Sequence, residues 1–247
     1  MTTVFTDEPI NRPAPIRVLD GVYAPQADSA LLVEALGDTG RAAGSRVADL
    51  CSGSGVVALA AAAHGAASVA AFEMSARAVA CARANVAAAG LDVRVHRGSW
   101  ARAVEFDPFD VVTCNPPYVP HDPAGLDEGP TFAGPATAWN AGPDGRAVLD
   151  PLCERAPELL AHGGMMLIVQ SEFANVNRTV ESLRASGLSA EVVLEQLIPF
   201  GPVLTARAEW LERIGALPCG RREERIAVVR ADRSVGMRKL VGRRSSA

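Results

Sequence analysis

The sequence lacks several features that would define other classes of protein. Only one of its 24 basic residues is lysine, Lys239, and the formal net charge is -4. That charge argues weakly against a chain that coats nucleic acid or lies on a membrane surface, because both roles favour a basic field. The longest apolar stretch, residues 56–63, is far shorter than the roughly 20 residues that cross a bilayer. No basic-then-apolar targeting segment opens the chain.

Cysteine and histidine are also too few and too scattered to form a metal centre. The five cysteines are Cys51, Cys81, Cys114, Cys153 and Cys219. Their number is odd, no C-x-x-C pair occurs, and the four histidines lack ligand spacing. We therefore expect reduced thiols in a cytoplasmic protein, with no metal site.

The 247 residues, 49% of them hydrophobic, alternate strand-like and helix-like runs, which is typical of a parallel sheet flanked by helices. The predicted strands are 46–50, 67–72, 92–96, 109–114, 164–169, 191–197 and 225–230. The predicted helices are 30–36 (capped by Asp28-Ser29 and stopped by Gly37), a helix ending near 64, 75–89, 146–161 and 171–186. We expect one domain over 22–232, after an N-terminal extension at 1–21 and before a basic, flexible tail at 233–247.

A glycine-rich turn follows the first predicted strand. Gly53 and Gly55 let the backbone turn tightly and approach a ligand, and the next helix offers free N–H groups at its positive end. Glu73 lies twenty positions after Gly53, a spacing at which an acid accepts hydrogen bonds from ribose hydroxyls. Together these features favour an adenosine site over a purely structural turn. The third glycine of the dinucleotide pattern is replaced by Ala58, but a dinucleotide site stays open because alanine is sometimes accepted at that position.

A second motif, Asn115-Pro116-Pro117-Tyr118, follows the fourth predicted strand and so lies at the carboxyl edge of the sheet. The two prolines make the turn rigid, and Pro116 keeps Asn115 extended. The Asn115 side chain and the Pro116 carbonyl are two fixed acceptors, and Tyr118 offers a flat surface to a planar group. Two such acceptors aim an NH2 group at an electrophile, so the motif indicates chemistry at an amide or ring nitrogen.

With these motifs, the sequence resembles the class I S-adenosylmethionine-dependent methyltransferases over residues 22–230. More narrowly, it resembles the HemK/PrmC family of protein-glutamine N5-methyltransferases in residues 49–55, Glu73, 115–120 and 138–150. Enzymes that methylate adenine or guanine share the Asn-Pro-Pro-Tyr motif, whereas residues 139–150 are more specific to HemK-like enzymes. The resemblance implies an α/β Rossmann-like fold with a mostly parallel seven-stranded sheet, an antiparallel last strand and helices on both faces.

The resemblance further implies that the chain binds S-adenosyl-L-methionine and releases S-adenosyl-L-homocysteine. Its catalytic residues would be Asn115, Pro116, Pro117 and Tyr118. Its cofactor-binding residues would be Tyr23, Pro25, Asp28, Asp49, Cys51, Gly53, Gly55, Glu73, Ser99, Trp100 and Asn115. Two of these depart from the family pattern: Cys51 stands where glycine is common, and Ser99 follows the strand after which relatives often place an acid against the adenine amine.

The segment at 22–32 resembles the short, archaeal/eukaryotic-type branch of the family. About twenty residues precede Tyr23, so we expect no N-terminal helical domain of the kind that holds release factors in longer bacterial enzymes. The resemblance implies a protein substrate, such as a translation release factor, that is methylated at a glutamine amide. It also implies a small zinc-binding activator subunit as a partner. Trp139 either lines the substrate entrance or anchors the loop at 119–143.

Three alternatives stay open at the level of sequence. A nucleobase methyltransferase acting on adenine N6 would need an electropositive groove and a pocket for a flipped base. A small-molecule N-methyltransferase would have a closed, apolar pocket. A non-catalytic S-adenosylmethionine-binding scaffold is disfavoured by the intact Asn115 motif.

Overall fold

Seven strands form a single sheet in the computed structural model, which describes residues 16–123 and 136–235. The strands are β1 (Arg46–Leu50), β2 (Ser68–Glu73), β3 (Val93–Arg97), β4 (Phe109–Cys114), β5 (Leu160–Ser171), β6 (Ser189–Pro199) and β7 (Glu223–Asp232). Most of the expected N-terminal extension and of the basic tail lie outside the described residues.

The strand order is β3-β2-β1-β4-β5-β7-β6. The first five strands run parallel, and β7 is antiparallel to both β5 and β6. This confirms the expected Rossmann-like sheet with an antiparallel last strand. The order reverses between β1 and β4, which are neighbours, and ligands of open α/β sheets bind in the crevice at such a reversal.

Helices cover both faces of the sheet. They are α1 (Ala27–Thr39), α2 (Val56–Ala63), α3 (Ala76–Ala89), α4 (Leu149–Leu159), α5 (Val176–Ala185) and α6 (Pro202–Arg213). Successive strand residues point to opposite faces, so Met165 packs with α1 and α2 while Met166 packs with α4, α5 and α6. None of the helices in the described ranges is both long and apolar enough to cross a membrane.

Helix α1 is longer than expected, and its cap differs from the predicted one. Gln26 is its N-cap residue and Gly40, at φ 60°, ends it. Gly37 lies inside the helix, and Asp28 and Ser29 are buried in the first turn. The prediction of a cap at Asp28-Ser29 was wrong because these two side chains make tertiary hydrogen bonds instead of closing the helix end.

Two more predicted helices need correction, and one helix was not predicted. The helix predicted from 146 begins only at Leu149, because the residues before it form the turn around Gly145. The helix predicted over 171–186 is interrupted at Asn175, whose φ of 59° separates a short 3-10 helix from α5. Helix α6 was missed, although Pro202 occupies a first-turn position that proline favours.

Candidate active site

Asp49, at the carboxyl end of β1, holds the glycine loop in place through hydrogen bonds to its side-chain carboxyl group. It is almost fully buried and accepts hydrogen bonds from the Ser52 and Thr113 hydroxyls at 2.7 and 2.8 Å and from the Ala58 N–H at 3.2 Å. Burial raises the pKa of Asp49 to about 6, although all three hydrogen bonds lower it. The carboxyl therefore ties β4, the loop and the start of α2 together.

Glu73, at the end of β2, closes the other side of the loop. One of its carboxyl oxygens accepts the Gly53 N–H at 3.0 Å, and the other accepts the Ser75 N–H at 2.7 Å. Each oxygen keeps a further lone pair. The side chain lines the cavity described below, so it combines a fixed position with free acceptor capacity.

Backbone conformation explains the residue types of the loop. Cys51 has a φ of 56°, a left-handed conformation that favours glycine, which agrees with the glycine that the family resemblance leads us to expect there. Gly55 has a φ of 85°, and a Cβ there would lie 3.2 Å from the Ala82 Cβ. Gly55 is therefore required for packing against α3, and it is the one expected cofactor contact that does not line the cavity.

The Asn115 side chain is held from behind by the start of α1. Its amide nitrogen donates to the Ser29 hydroxyl oxygen at 3.2 Å. The Ser29 hydroxyl in turn donates to Asp28 at 3.3 Å, and the Tyr118 hydroxyl donates to the other Asp28 oxygen at 2.9 Å. Because the Asn115 nitrogen is engaged, its carbonyl oxygen is left as the acceptor for a ligand N–H.

Tyr118 is buried, and its hydroxyl stays protonated. Burial, reinforced by the Asp28 carboxylate, raises the pKa of Tyr118 well above its usual range. The same influences raise the pKa of Tyr23. Burial likewise raises the pKa of the Cys114 thiol, which agrees with an inert cysteine rather than a nucleophile.

The segment that returns after the undescribed residues 124–135 packs against the Asn115 motif. Val119 and Asn140 form a parallel bridge, in which the Val119 N–H donates to the Trp139 carbonyl at 2.9 Å. Trp139 is buried, lies under the Arg207 guanidinium at 4.7 Å and lines the cavity. Its indole N–H has no hydrogen-bond partner among the described residues. Trp139 therefore anchors the segment by its burial and also lines the cavity.

The HemK-like segment owes its residue types to packing. Gly145 has a φ of 73°, and a Cβ there would overlap the Tyr118 carbonyl oxygen. Arg146 is buried, forms an ion pair with Asp150 at 2.8 Å and donates to the Ala174 carbonyl at 2.5 Å. These contacts join the returning segment to the 3-10 helix that follows β5 and fix the backbone that contacts Tyr118.

These elements enclose a cavity of about 310 Å³ at the reversal between β1 and β4. Apart from Gly55, every residue that we expected in the catalytic and cofactor sets lines it. Ser99 and Trp100, at the start of a 3-10 helix after β3, lie on its wall. Ser29 and Met74 are among the residues of the cavity lining that were not expected from the sequence. Ser29 was interpreted as part of a helix cap, which is the usual role of a serine before a helix. Met74 is an exposed apolar residue beside Glu73 and belongs to no motif.

The cavity suits S-adenosyl-L-methionine. Glu73 lines the cavity, and a Cβ at Gly53 would meet only open space, so the loop leaves room for a ligand. Phe72, Met74 and Val57 supply an apolar part of the wall. Among the described residues, no group of three His, Cys, Asp or Glu side chains is placed to hold a metal ion.

Comparison with known proteins identifies the relatives of this chain. The methyltransferase small domain family matches residues 15–127. A Methanocaldococcus jannaschii protein, named as a protein N5-glutamine methyltransferase, is 28% identical over 188 residues, or 76% of this chain and 91% of that protein. A release factor glutamine methyltransferase of Xylella fastidiosa is 34% identical over 186 residues, or 74% of this chain and 67% of the relative.

Other bacterial release factor glutamine methyltransferases are longer, and the chain spans 54% to 66% of their length. Among solved structures, the Mtq2 chain of the E. cuniculi Mtq2–Trm112 complex superposes with a TM-score of 0.56 at 19% identity, covering 87% of this chain and 99% of that one. That likeness shows the fold.

The fold, Glu73 at the end of β2 and the Asn115 motif after β4 define a class I S-adenosylmethionine-dependent methyltransferase. Within this class, the chain belongs to the HemK/PrmC family of protein-glutamine N5-methyltransferases.

Proposed function

We propose that this enzyme methylates the side-chain amide nitrogen of a glutamine in a protein, and that the protein is a translation release factor. The observation that carries the proposal is the fixed orientation of Asn115. Its nitrogen is bound to Ser29 at 3.2 Å, so its oxygen can accept one N–H of a substrate amide. The Pro116 carbonyl is positioned by the same rigid turn to accept the other.

A further residue of the cavity lining complements an amide as well. An amide presents a carbonyl oxygen beside its NH2 group, and Trp139, whose buried indole N–H has no hydrogen-bond partner among the described residues, lines the cavity. Acceptors for N–H and a donor for C=O together match a carboxamide. Asn115, Pro116 and Trp139 therefore form the acceptor subsite of the proposal.

S-adenosyl-L-methionine, when bound, supplies a methyl group already activated on a sulfonium. The chain therefore needs no nucleophile of its own, and its task is to orient the amide and to hold the charge that develops on nitrogen. Asn115 and Pro116 hold the amide, Ser29 and Asp28 keep Asn115 oriented, and the buried Tyr118 excludes water from the rear of the site.

The names of the relatives support the release-factor substrate. The Xylella relative is named a release factor glutamine methyltransferase, and the E. cuniculi complex is described as responsible for methylation of the termination factor eRF1. That structure pairs Mtq2 with Trm112, so we include a small zinc-binding activator subunit in the proposal.

The test is methyl transfer from labelled S-adenosylmethionine to a purified release factor, with and without a Trm112-type subunit. We expect label on one glutamine, located by mass spectrometry, and none on a release factor in which that glutamine is changed to asparagine. Label in a cell lysate that resists protease but is lost on nuclease treatment would contradict the proposal and favour a nucleobase. Label that resists both would favour a small molecule.

A further inference from the structure

A second cavity, of about 330 Å³, lies behind the Tyr118–Asp28 hydrogen bond. It opens between the start of α1, the start of α6 and the ends of β6 and β7 that carry Ile198 and Glu224. Tyr23, Asp28 and Tyr118 line both this cavity and the active-site cavity. Its size falls within the range of ligand pockets, and nothing in the reaction described above uses it.

Glu224 is the unusual residue of this second cavity. Its side chain is 5% exposed, and Oε2 has no hydrogen-bond partner. A buried carboxyl oxygen without a partner is unfavourable by about 1–3 kcal/mol or more, and such groups in native proteins commonly mark a bound ligand or a functional role. Glu224 carries no sequence motif, because it lies in a run of mixed charges at 221–225.

The electrostatics of the cavity are acidic. Asp28, 4% exposed, faces it beside Glu224, and among the described residues that line it none is lysine, arginine or histidine. The two tyrosine hydroxyls are neutral, since burial raises both of their pKa values. Burial raises the pKa of Glu224 to about 7; Asp28 and Glu172 raise it further, whereas a Ser171 hydrogen bond and Arg221 lower it.

We propose that the second cavity binds a guanidinium or ammonium group, with Glu224 and Asp28 as its carboxylate partners. Such a group donates charge-assisted hydrogen bonds to the free Glu224 oxygen and compensates two buried acids at once. An anion is disfavoured in this cavity, because it would lie beside two carboxylates and no basic side chain among the described residues. A metal ion would lack ligands, because no three metal-binding side chains cluster in the described part of the chain.

The cation has two sources. One is a basic side chain of the protein substrate, close in its sequence to the methylated glutamine, because the two cavities share one wall. The other is a free amine or guanidine compound that occupies the cavity independently of the substrate. The first source rests on the proposed function, whereas the second does not.

The binding test uses the full chain and two probes of nearly identical shape, N-acetyl-arginine methylamide and its neutral counterpart N-acetyl-citrulline methylamide. Titration followed by NMR or calorimetry should show the arginine probe binding at least about 10-fold tighter at pH 8. Glu224→Gln should abolish that preference, and the matched control Glu209→Gln, at an exposed position on α6, should retain it.

A second measurement needs no variant. Wild-type affinity for the arginine probe should fall as pH is lowered from 8 to 5, because Glu224 becomes protonated and loses its charge, while affinity for the citrulline probe should change little. Equal binding of the two probes, or a preference that persists in Glu224→Gln, would overturn the proposal.

Steady-state kinetics identify the source of the cation, with peptides that carry arginine or citrulline next to the glutamine that accepts the methyl group. A lower KM for the arginine peptides in wild type, absent in Glu224→Gln, assigns the cavity to the substrate. Equal KM values combined with arginine-probe binding assign it to a free cation and overturn the substrate source. If no peptide is methylated, the proposed function fails while the probe titrations still decide the second cavity.

Discussion

At the scale of single residues, the site depends on side chains that are themselves held by hydrogen bonds. Glu73 is fixed by two loop N–H groups, and Asn115 is fixed by Ser29. We expect the first arrangement to serve binding of the cofactor and the second to serve orientation of the acceptor. The two functions should therefore separate in measurements of affinity and turnover.

Replacing Glu73 by alanine should weaken cofactor binding. The change removes the acceptors for the ribose and releases the Gly53 and Ser75 N–H groups, and hydrogen bonds to a charged group contribute about 1.5–3 kcal/mol. We expect the dissociation constant for S-adenosylhomocysteine, measured by calorimetry, to rise at least about 10-fold. Glu181→Ala, at an exposed position on α5, is the matched control, and an unchanged affinity in Glu73→Ala would remove Glu73 from the site.

Replacing Ser29 by alanine should affect turnover and leave cofactor affinity unchanged. Without the hydroxyl, the Asn115 amide loses the partner that fixes its orientation, and we expect kcat to fall about 10-fold, the effect of losing one ordinary hydrogen bond of about 1.4 kcal/mol. Ser29→Thr keeps the hydroxyl and should recover most of the activity. Loss of activity in both variants to the same degree would indicate a packing role for this position instead.

At the scale of elements, sequence reasoning was successful where a local pattern decides the structure. Strands β1 and β4 were predicted with their observed bounds, because the first is followed by a glycine-rich turn and the second, which is rich in valine, is followed by two prolines. Tertiary contacts decided the rest. Gly37 lies inside α1, and Asn175 interrupts the helix predicted over 171–186.

The site shows the same division. The loop at 49–55, Glu73 and the Asn115 motif are local sequence signals, and the structure brings them to one cavity, with Gly55 beside it. Ser29 and Glu224 were not identified from sequence, because their importance arises from partners 86 residues away in the first case and from burial beside Asp28 in the second. No local pattern carries that information.

The contact between the HemK-like segment and the Asn115 motif gives a prediction about an element. A Cβ at Gly145 would overlap the Tyr118 carbonyl oxygen and lie 3.2 Å from the Ala174 Cβ, so Gly145→Ala must displace the motif. Gly90→Ala is the matched control, since its φ of 66° is similar and nothing lies within 4 Å. In urea unfolding, we expect Gly145→Ala to be at least about 2 kcal/mol less stable than Gly90→Ala, and equal losses would contradict the proposed contact.

At the scale of the whole molecule, buried acids make stability depend on pH. Glu224 has a pKa near 7 in the folded chain and an ordinary value of 4.5. Between these values the folded chain binds the proton that the unfolded chain has lost, so stability falls as pH rises. Asp49, with a pKa of about 6 against 3.8, acts in the same direction.

Glu224→Gln should remove the part of the pH dependence of stability that comes from titration of Glu224. Relative to the variant, the free energy of unfolding of the wild type should decrease by about 3 kcal/mol between pH 4.5 and pH 7.5, which corresponds to the pKa difference. Urea unfolding of both proteins across this range measures it. Parallel pH profiles would show that Glu224 is ionised and compensated in the folded chain.

The central claim, that the Asn115 motif directs methyl transfer to an amide nitrogen, is tested most directly by Asn115→Ala. One measurement compares wild type and variant for single-turnover methylation of the release-factor glutamine at saturating S-adenosylmethionine. We predict that the rate falls at least about 100-fold while affinity for S-adenosylhomocysteine changes little. A variant that methylates the glutamine at the wild-type rate would contradict the account.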